Sequence, residues 1–309
     1  MAFLLRPLAA LLMLGLLTAQ TVPAFARTNG PENCAARPND LGRLWKVTDG
    51  KSPPSYIFGT MHSKDPRILQ LPGIVMQAFT SSRTAIFETS LRDQELAATR
   101  QFMLLRPGNS LKAKIDPENF ARLAAIAARY RIDPATLDHL KIWAAAAVIS
   151  QPPPSGNPDS GQFTMLDKEL EKLARRNDKT VIGLETNMEQ MSVFDNMSEA
   201  AQIEYLEQTM REYAKMDTEL ETIASYYLAG HTGWIACNLE GSLIDASPEL
   251  VRVMTTKLID ERNRRMVSRM LPALARGNAF VGIGALHLPG ADGVLALLQK
   301  HGYRIERKY

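Results

Sequence analysis

Short apolar runs that stop at a polar residue occur near both ends of the chain, and they constrain the fold more than any other feature. Tyr56-Ile57-Phe58-Gly59-Thr60-Met61-His62 lies near the start, and Gly282-Ile283-Gly284-Ala285-Leu286-His287 near the end. Between them Ala85-Ile86-Phe87 leads into Glu88, and Thr180 to Leu184 leads into Glu185. Runs of this length, bounded by turn residues, read as buried strands. Strands towards both ends with helical stretches between them predict one α/β domain over residues 27–309. Its mixed central sheet is expected to form from the N- and C-terminal parts of the chain, with a helical insertion at about residues 111–230.

The intervening segments fill out this plan. Leu44 to Val47 and the run from Tyr56 flank Asp49-Gly50, which predicts a hairpin. Leu71 to Phe79 has helical spacing. Asp116-Pro117, Asp133-Pro134 and Ser247-Pro248 each place a capping residue before a proline, which predicts helices running to Arg129, Ile149 and towards Leu271. Gln151 to Gly161 carries four prolines and two glycines and reads as a loop. Phe163 to Arg176, Ser198 to Leu228 and Gly293 to Gln299 read as helices, Tyr303 to Ile305 as a last strand, and residues 27–41 as an irregular arm.

Residues 1–26 read as a secretory signal. Arg6 is their only charge, Leu8 to Leu17 is apolar, and Ala24-Phe25-Ala26 is a small-x-small cleavage pattern. The apolar run covers about half of the ~20 residues needed to cross a bilayer, and Ile142 to Ile149 is shorter still, so no span is expected in the mature chain. The expected location is periplasmic or secreted. Without the leader the balance is 35 basic to 33 acidic residues, with no dense Lys/Arg stripe among aromatics, and no nucleic-acid partner is expected. Arg175-Arg176 and Arg264-Arg265 read as solvated helix faces. The two cysteines, Cys34 and Cys237, form either one disulfide in an oxidising compartment or two separate thiols.

In α/β sheets ligands bind beyond the carboxyl ends of the strands, so His62, Glu88, Glu185 and His287 can converge although they are far apart in sequence. Two imidazoles with a carboxylate make a usual divalent-metal set. Gly59 and Gly284 precede the histidines by three residues, which allows a sharp exit from the strand or a close approach of backbone to the site. Glu88 needs a partner at a buried strand end; Glu185 has the same need or caps the next helix. Arg262 shares the apolar stripe of Leu258 and Met266, so it either pairs with one of these glutamates, holds substrate charge, or snorkels at the sheet edge. Asn263 turns away from that stripe and is given a minor role. His139, His231 and His301 read as surface or capping residues.

The two Gly-x-x-His segments, together with Leu44-Trp45-Lys46-Val47, Ile86-Phe87-Glu88, Gly183-Leu184-Glu185-Thr186 and Glu261-Arg262-Asn263, resemble the TraB/GumN family. That group includes the Tiki proteases and is similar in fold to erythromycin esterase and the haem-binding ChaN proteins. The resemblance implies a metal-dependent hydrolase, of peptidase type, using His62 and His287 to hold the metal, Glu88 as a further ligand or as general base on its water, and Arg262, the conserved arginine of the late helix, to stabilise the developing oxyanion or the substrate. Manganese, cobalt or zinc is the expected metal, and a peptide or envelope-derived molecule the expected substrate. The rival expectation is a non-catalytic exported protein that binds a peptide, a lipid-like molecule or haem in the same cleft.

Overall fold

A computed structural model describes residues 30, 31, 33–90, 93–154 and 165–309. The expected leader and most of the Pro-rich loop after Gln151 lie outside the described residues. Six strands form one mixed sheet: β1 (Leu44–Thr48), β2 (Ser55–Thr60), β3 (Thr84–Thr89), β4 (Thr180–Glu185), β5 (Ala279–Gly284) and β6 (Arg304–Arg307), in the order β4-β3-β5-β2-β1-β6. The four strands β4, β3, β5 and β2 run parallel, and β1 pairs antiparallel with both β2 and β6. The chain is thus a single α/β domain whose sheet is closed by its last residues, as expected. In the hairpin, Asp49 Oδ1 accepts from the backbone N–H groups of Lys51 and Ser52, the local bond that makes Asp a turn residue.

The fourteen α-helices described are α1 (Pro66–Leu69), α2 (Gly73–Ser81), α3 (Asp93–Phe102), α4 (Pro117–Ala127), α5 (Pro134–Asp138), α6 (Ile142–Ile149), α7 (Leu166–Arg176), α8 (Asn187–Asp195), α9 (Glu199–Glu212), α10 (Met216–Leu228), α11 (Thr232–Ser242), α12 (Pro248–Arg252), α13 (Glu261–Arg276) and α14 (Val294–Lys300). Asp116, Asp133 and Ser247 cap as their sequence context predicts, each accepting backbone N–H groups of its own first turn. Where one helix is expected from Pro134 to Ile149, the structure has two. Lys141 is extended, its N–H donates to the Met103 carbonyl, and Leu140 bridges Leu104, so the strand-like contact displaces a helical turn. Between α12 and α13, Val253–Asp260 winds as a π-helix, so the helix predicted from Ser247 is continuous but locally widened.

Period-two alternation in the strands decides which layer each helix joins. Ile57, Ile86, Val281 and Ile283 face α13 and α14, meeting Met266, Met270, Leu274 and Leu298. Phe58, Phe87 and Phe280 face the other way, against Val75 and Phe79 of α2, Leu170 of α7 and Tyr227 of α10. A third core is helical and gathers Leu123, Trp143, Leu206 and Leu250. Among the described residues no helix is long and apolar enough to cross a membrane.

The N-terminal arm is tied to α11. Cys34 and Cys237 form a disulfide with a Cα separation of 5.7 Å, and Arg37 makes a two-pronged pair with Glu240 at 2.9 Å. The cross-link joins residues 203 apart, a long loop whose closure removes much unfolded-state entropy. Replacing both cysteines with serine is expected to cost about 2–5 kcal/mol in urea-induced unfolding. An unchanged midpoint would mean that the arm adds nothing to stability.

Candidate active site

Because β4, β3, β5 and β2 are parallel, their carboxyl ends reach the same edge of the sheet. The register sets Thr89 beside Glu185 and Thr60 beside Gly284. His62 follows β2, Glu88 lies one residue from the end of β3, Glu185 ends β4, and His287 sits in the short turn after β5. The structure therefore brings all four strand-end residues to one side, where His62, Glu88, His287 and Arg262 line one cavity of about 260 Å³.

Arg262 is at the centre. Its side chain is 7% exposed, and it spans both glutamates: Nη2 donates to Glu88 Oε2 at 2.6 Å and Nε to Glu185 Oε2 at 2.9 Å. Of the roles left open from sequence, pairing with an acid is the one found, with two acids and not one. Arg265 completes the group by donating to Glu185 Oε1 at 2.8 Å, so two guanidinium charges meet two carboxylates. The expectation that Arg264 and Arg265 form a solvated face is corrected for Arg265, which sits one helical turn from Arg262 and is drawn inward by the second glutamate oxygen. Glu185 does not cap the next helix; Thr186 does, in a capping box with Glu189.

Glu88 is held as a charged group. Burial raises its proton affinity, but His287, Arg262 and His62 outweigh burial, and the Gly284 N–H donates to Oε1 at 2.7 Å, leaving the carboxyl held down at about 2. The glycine permits that approach, since a Cβ at Gly284 would come within 3.0 Å of Glu88 Oε1. At Gly59 a Cβ would lie 2.7 Å from Leu288, so both glycines serve close packing and neither requires left-handed backbone.

His287 is buried, and desolvation pushes its imidazole down to about 4 despite the opposing pull of Glu88, so it is neutral at pH 7. Its Nδ1 lies 2.7 Å from Asn263 Oδ1. Asn263 donates its own Nδ2–H to the Asp292 carbonyl at 2.9 Å, which turns Oδ1 towards the ring and assigns the imidazole proton to Nδ1. The Nε2 lone pair then faces Arg262 Nη1 at 3.4 Å and Glu88 Oε1 at 3.8 Å. Asn263, expected to turn away, is 1% exposed and orients this histidine. The reading from a single four-residue row fails there because α13 buries a wider face, on which Asn263 lines up with the buried Val267 and Leu274.

His62 differs from His287. Its side chain is 58% exposed, and Nε2 stands 3.5 Å from Asp167 Oδ2. Asp167, in the first turn of α7, was not singled out by sequence, because an acid there is already explained by the helix dipole. Its Oδ1 accepts from Thr60 Oγ1 at 2.5 Å, while Oδ2 is shielded from solvent and has no hydrogen-bond donor. Burial raises its proton affinity, with His62 and Thr60 opposing and the Glu88 charge adding to the rise. Asp167, His62, Glu88 and Gln190 line a second cavity of about 170 Å³ beside the first. Gln190 Nε2 donates to Glu88 Oε2 at 3.2 Å. Among the described residues no group of three or more His, Cys, Asp or Glu side chains stands close enough to hold one ion. The other histidines lie away from both cavities: His139 ends α5, His301 ends α14, and His231 begins α11 with its ring stacked on Trp234.

The floor of the site is braced by Arg269, which pairs with Glu189 at 2.7 Å and donates to the Leu184 carbonyl. The Arg269 bond and the Thr186 N–H hold the Glu189 carboxyl down at about 2, against the ordinary 4.5. A depressed carboxylate stabilises the fold fully above its unfolded value and loses that contribution as pH falls through its folded value. Wild type is therefore expected to exceed Glu189→Gln in urea midpoint at pH 7, with the gap closing between about pH 4.5 and 2. A gap independent of pH would remove the ion pair as its cause.

The geometry defines an α/β domain with a buried arginine–carboxylate cluster and two strand-end histidines. The chain belongs to the TraB/PrgY/gumN family, whose pattern matches residues 43–307. It is 24% identical to "Metalloprotease TIKI homolog" of Nematostella vectensis over 85% of this chain and 66% of that one. To "Metalloprotease TIKI1" of Danio rerio it is 23% identical, over 92% and 65% of the two chains, and to "Metalloprotease TIKI2" of the same organism 24% identical, over 85% and 60%. The chain thus spans just under two thirds of the length of these relatives. No solved structure matches it.

Proposed function

We propose that the protein is an exported, metal-dependent hydrolase of peptides, with His62, Glu88 and His287 as the metal-holding residues. The observation that carries the reading is His287, buried and neutral, with Nδ1 committed to Asn263 and the Nε2 lone pair on the cleft side, between Arg262 Nη1 and the charged Glu88. This is how an imidazole is fixed when it must act as a ligand. The relatives named as metalloproteases support the same chemistry, and the disulfide agrees with an oxidising compartment.

The donors fit a divalent cation in type, and Asp167 Oδ2, which takes no hydrogen bond and has His62 Nε2 3.5 Å away, supports a cationic group in this space, since an acceptor shielded from water without a hydrogen-bond donor is costly. A bound metal would supply a water acidified to near-neutral pKa and would polarise a carbonyl. Glu88, charged down to about pH 2, suits a ligand better than a general base working near pH 7. Asp167 is the better proton acceptor, because Oδ2 takes no hydrogen bond and stands 3.5 Å from His62 Nε2. Arg262 keeps Glu88 ionised and aimed, its charge already spent on the two carboxylates.

The test is to assay the chain without residues 1–26 for bound metal and for cleavage of a broad peptide mixture with added manganese, cobalt or zinc. Turnover is expected only with metal. Asp167→Asn should lower kcat by about 10²-fold or more with little change in KM. Metal binding or haem uptake without cleavage of any peptide or ester would support the non-catalytic reading instead.

A further inference from the structure

The charged groups are only part of the lining of the cleft beyond the strand ends. An apolar wall is contributed by Met61, Ile223, Ile235, Leu258, Ile259 and Leu286. Met61 comes from the loop after β2, Ile223 from α10, Ile235 from α11, Leu258 and Ile259 from the π-helical turn, and Leu286 from the turn after β5. Each is left partly exposed. Singly, such residues need no explanation. Gathered from five segments onto one face that is continuous with Glu88 and His287, they have the composition of a ligand site: an apolar lining with a few convergent polar groups.

The polar atoms near this wall are already used. Tyr227 donates its hydroxyl to the Gly59 carbonyl at 2.9 Å and so presents ring carbon to the cavity. Arg262 is bound to Glu88, Glu185 and the Leu258 carbonyl, the last at 3.2 Å. A charged side chain laid on these apolar residues would shed water without gaining a partner from them, whereas an apolar one gains by burial. The widened helical turn matters to the arrangement, because it carries Leu258 and Ile259 and leads directly into Arg262.

We infer that this wall is a subsite for one bulky apolar side chain, so that peptides are cut beside a Leu, Ile, Phe or Met residue. The identity of the cut bond rests on the hydrolase reading: water adds across the amide, its oxygen to the carbonyl carbon and its proton to the leaving amine as the C–N bond breaks. The subsite itself makes a binding prediction that needs no turnover.

Two measurements on the chain without residues 1–26 separate these claims. In a fluorescence titration, dansyl-leucine amide should bind at least about tenfold more tightly than dansyl-asparagine amide. The difference should vanish in Leu258→Asp and in Ile223→Asp, which lie on different elements, with circular dichroism confirming that each is folded. In a peptide mixture with metal, apolar residues should be over-represented at one position flanking the cut. Equal binding of the two probes to wild type overturns the subsite, whatever the turnover. Cleavage without an apolar preference overturns the subsite and leaves the hydrolase reading standing. A leucine preference in binding with no cleavage of any peptide supports the subsite and overturns the hydrolase reading.

Discussion

Arg262→Met is expected to destabilise the protein by about 3–5 kcal/mol and to abolish turnover. The size follows from what the substitution leaves behind. Glu185 has no exposed side-chain surface and Glu88 only 12%, so removing the guanidinium leaves two buried carboxylates with one cation, Arg265, which reaches Glu185 alone, while Glu88 keeps only the Gly284 N–H and Gln190 as donors. A buried carboxylate left without its cation is costlier than the pair was favourable. Arg262→Lys should recover only part of the loss, since an ammonium lacks the planar fork that reaches both carboxylates. Adding Glu185→Gln to Arg262→Met should restore stability relative to the single variant, as expected for groups in one network. Urea unfolding of the four proteins measures this. A cost below about 1 kcal/mol for Arg262→Met would mean that the cluster is solvated and not the closed unit described.

Metal affinity should respond to His287 and to its support in a graded way. His287→Ala is expected to lose binding by more than a hundredfold, and Asn263→Ala, which leaves the ligand but frees its ring, by about 10–100-fold. Asn263→Asp should retain more affinity than Asn263→Ala, because a carboxylate still accepts the Nδ1–H. Calorimetric titration with manganese, cobalt and zinc provides the comparison, and it does not depend on knowing a substrate. Unchanged affinity in both His62→Ala and His287→Ala would sink the proposed site. Loss at His287 but not at His62 would restrict the ligands to the buried side of the cleft.

Most of the site was legible because a polar residue ending an apolar run is conspicuous in the chain itself. His62, Glu88, Glu185 and His287 could be singled out from that pattern alone, and Arg262 from its place on an apolar stripe. Asn263, Arg265 and Asp167 could not be found this way. Asn263 follows Arg262 directly and falls off the Leu258–Arg262–Met266 row; α13 buries a wider face that includes it, and only the assembled fold sets His287 opposite. Arg265 sits in a pair that looks solvated, and its inward turn depends on a glutamate 80 residues away. Asp167 carries the ordinary signature of a helix start, and its Oδ2 is shielded without a hydrogen-bond donor only because α7 packs on β3 and β4.

By itself the sequence determined the strands, their alternation, the caps, and the pairing of glycine with histidine at two strand ends, because these depend on neighbours within a few residues. Backbone geometry and local hydrogen bonding suffice for them. The tertiary structure decided how charge is distributed: which carboxylate is held ionised, which imidazole is neutral and buried, which faces solvent, and where an apolar wall meets a polar one. Those properties arise from desolvation and from fields between groups as far as 199 residues apart, such as Glu88 and His287, and they come into being only when the sheet is assembled.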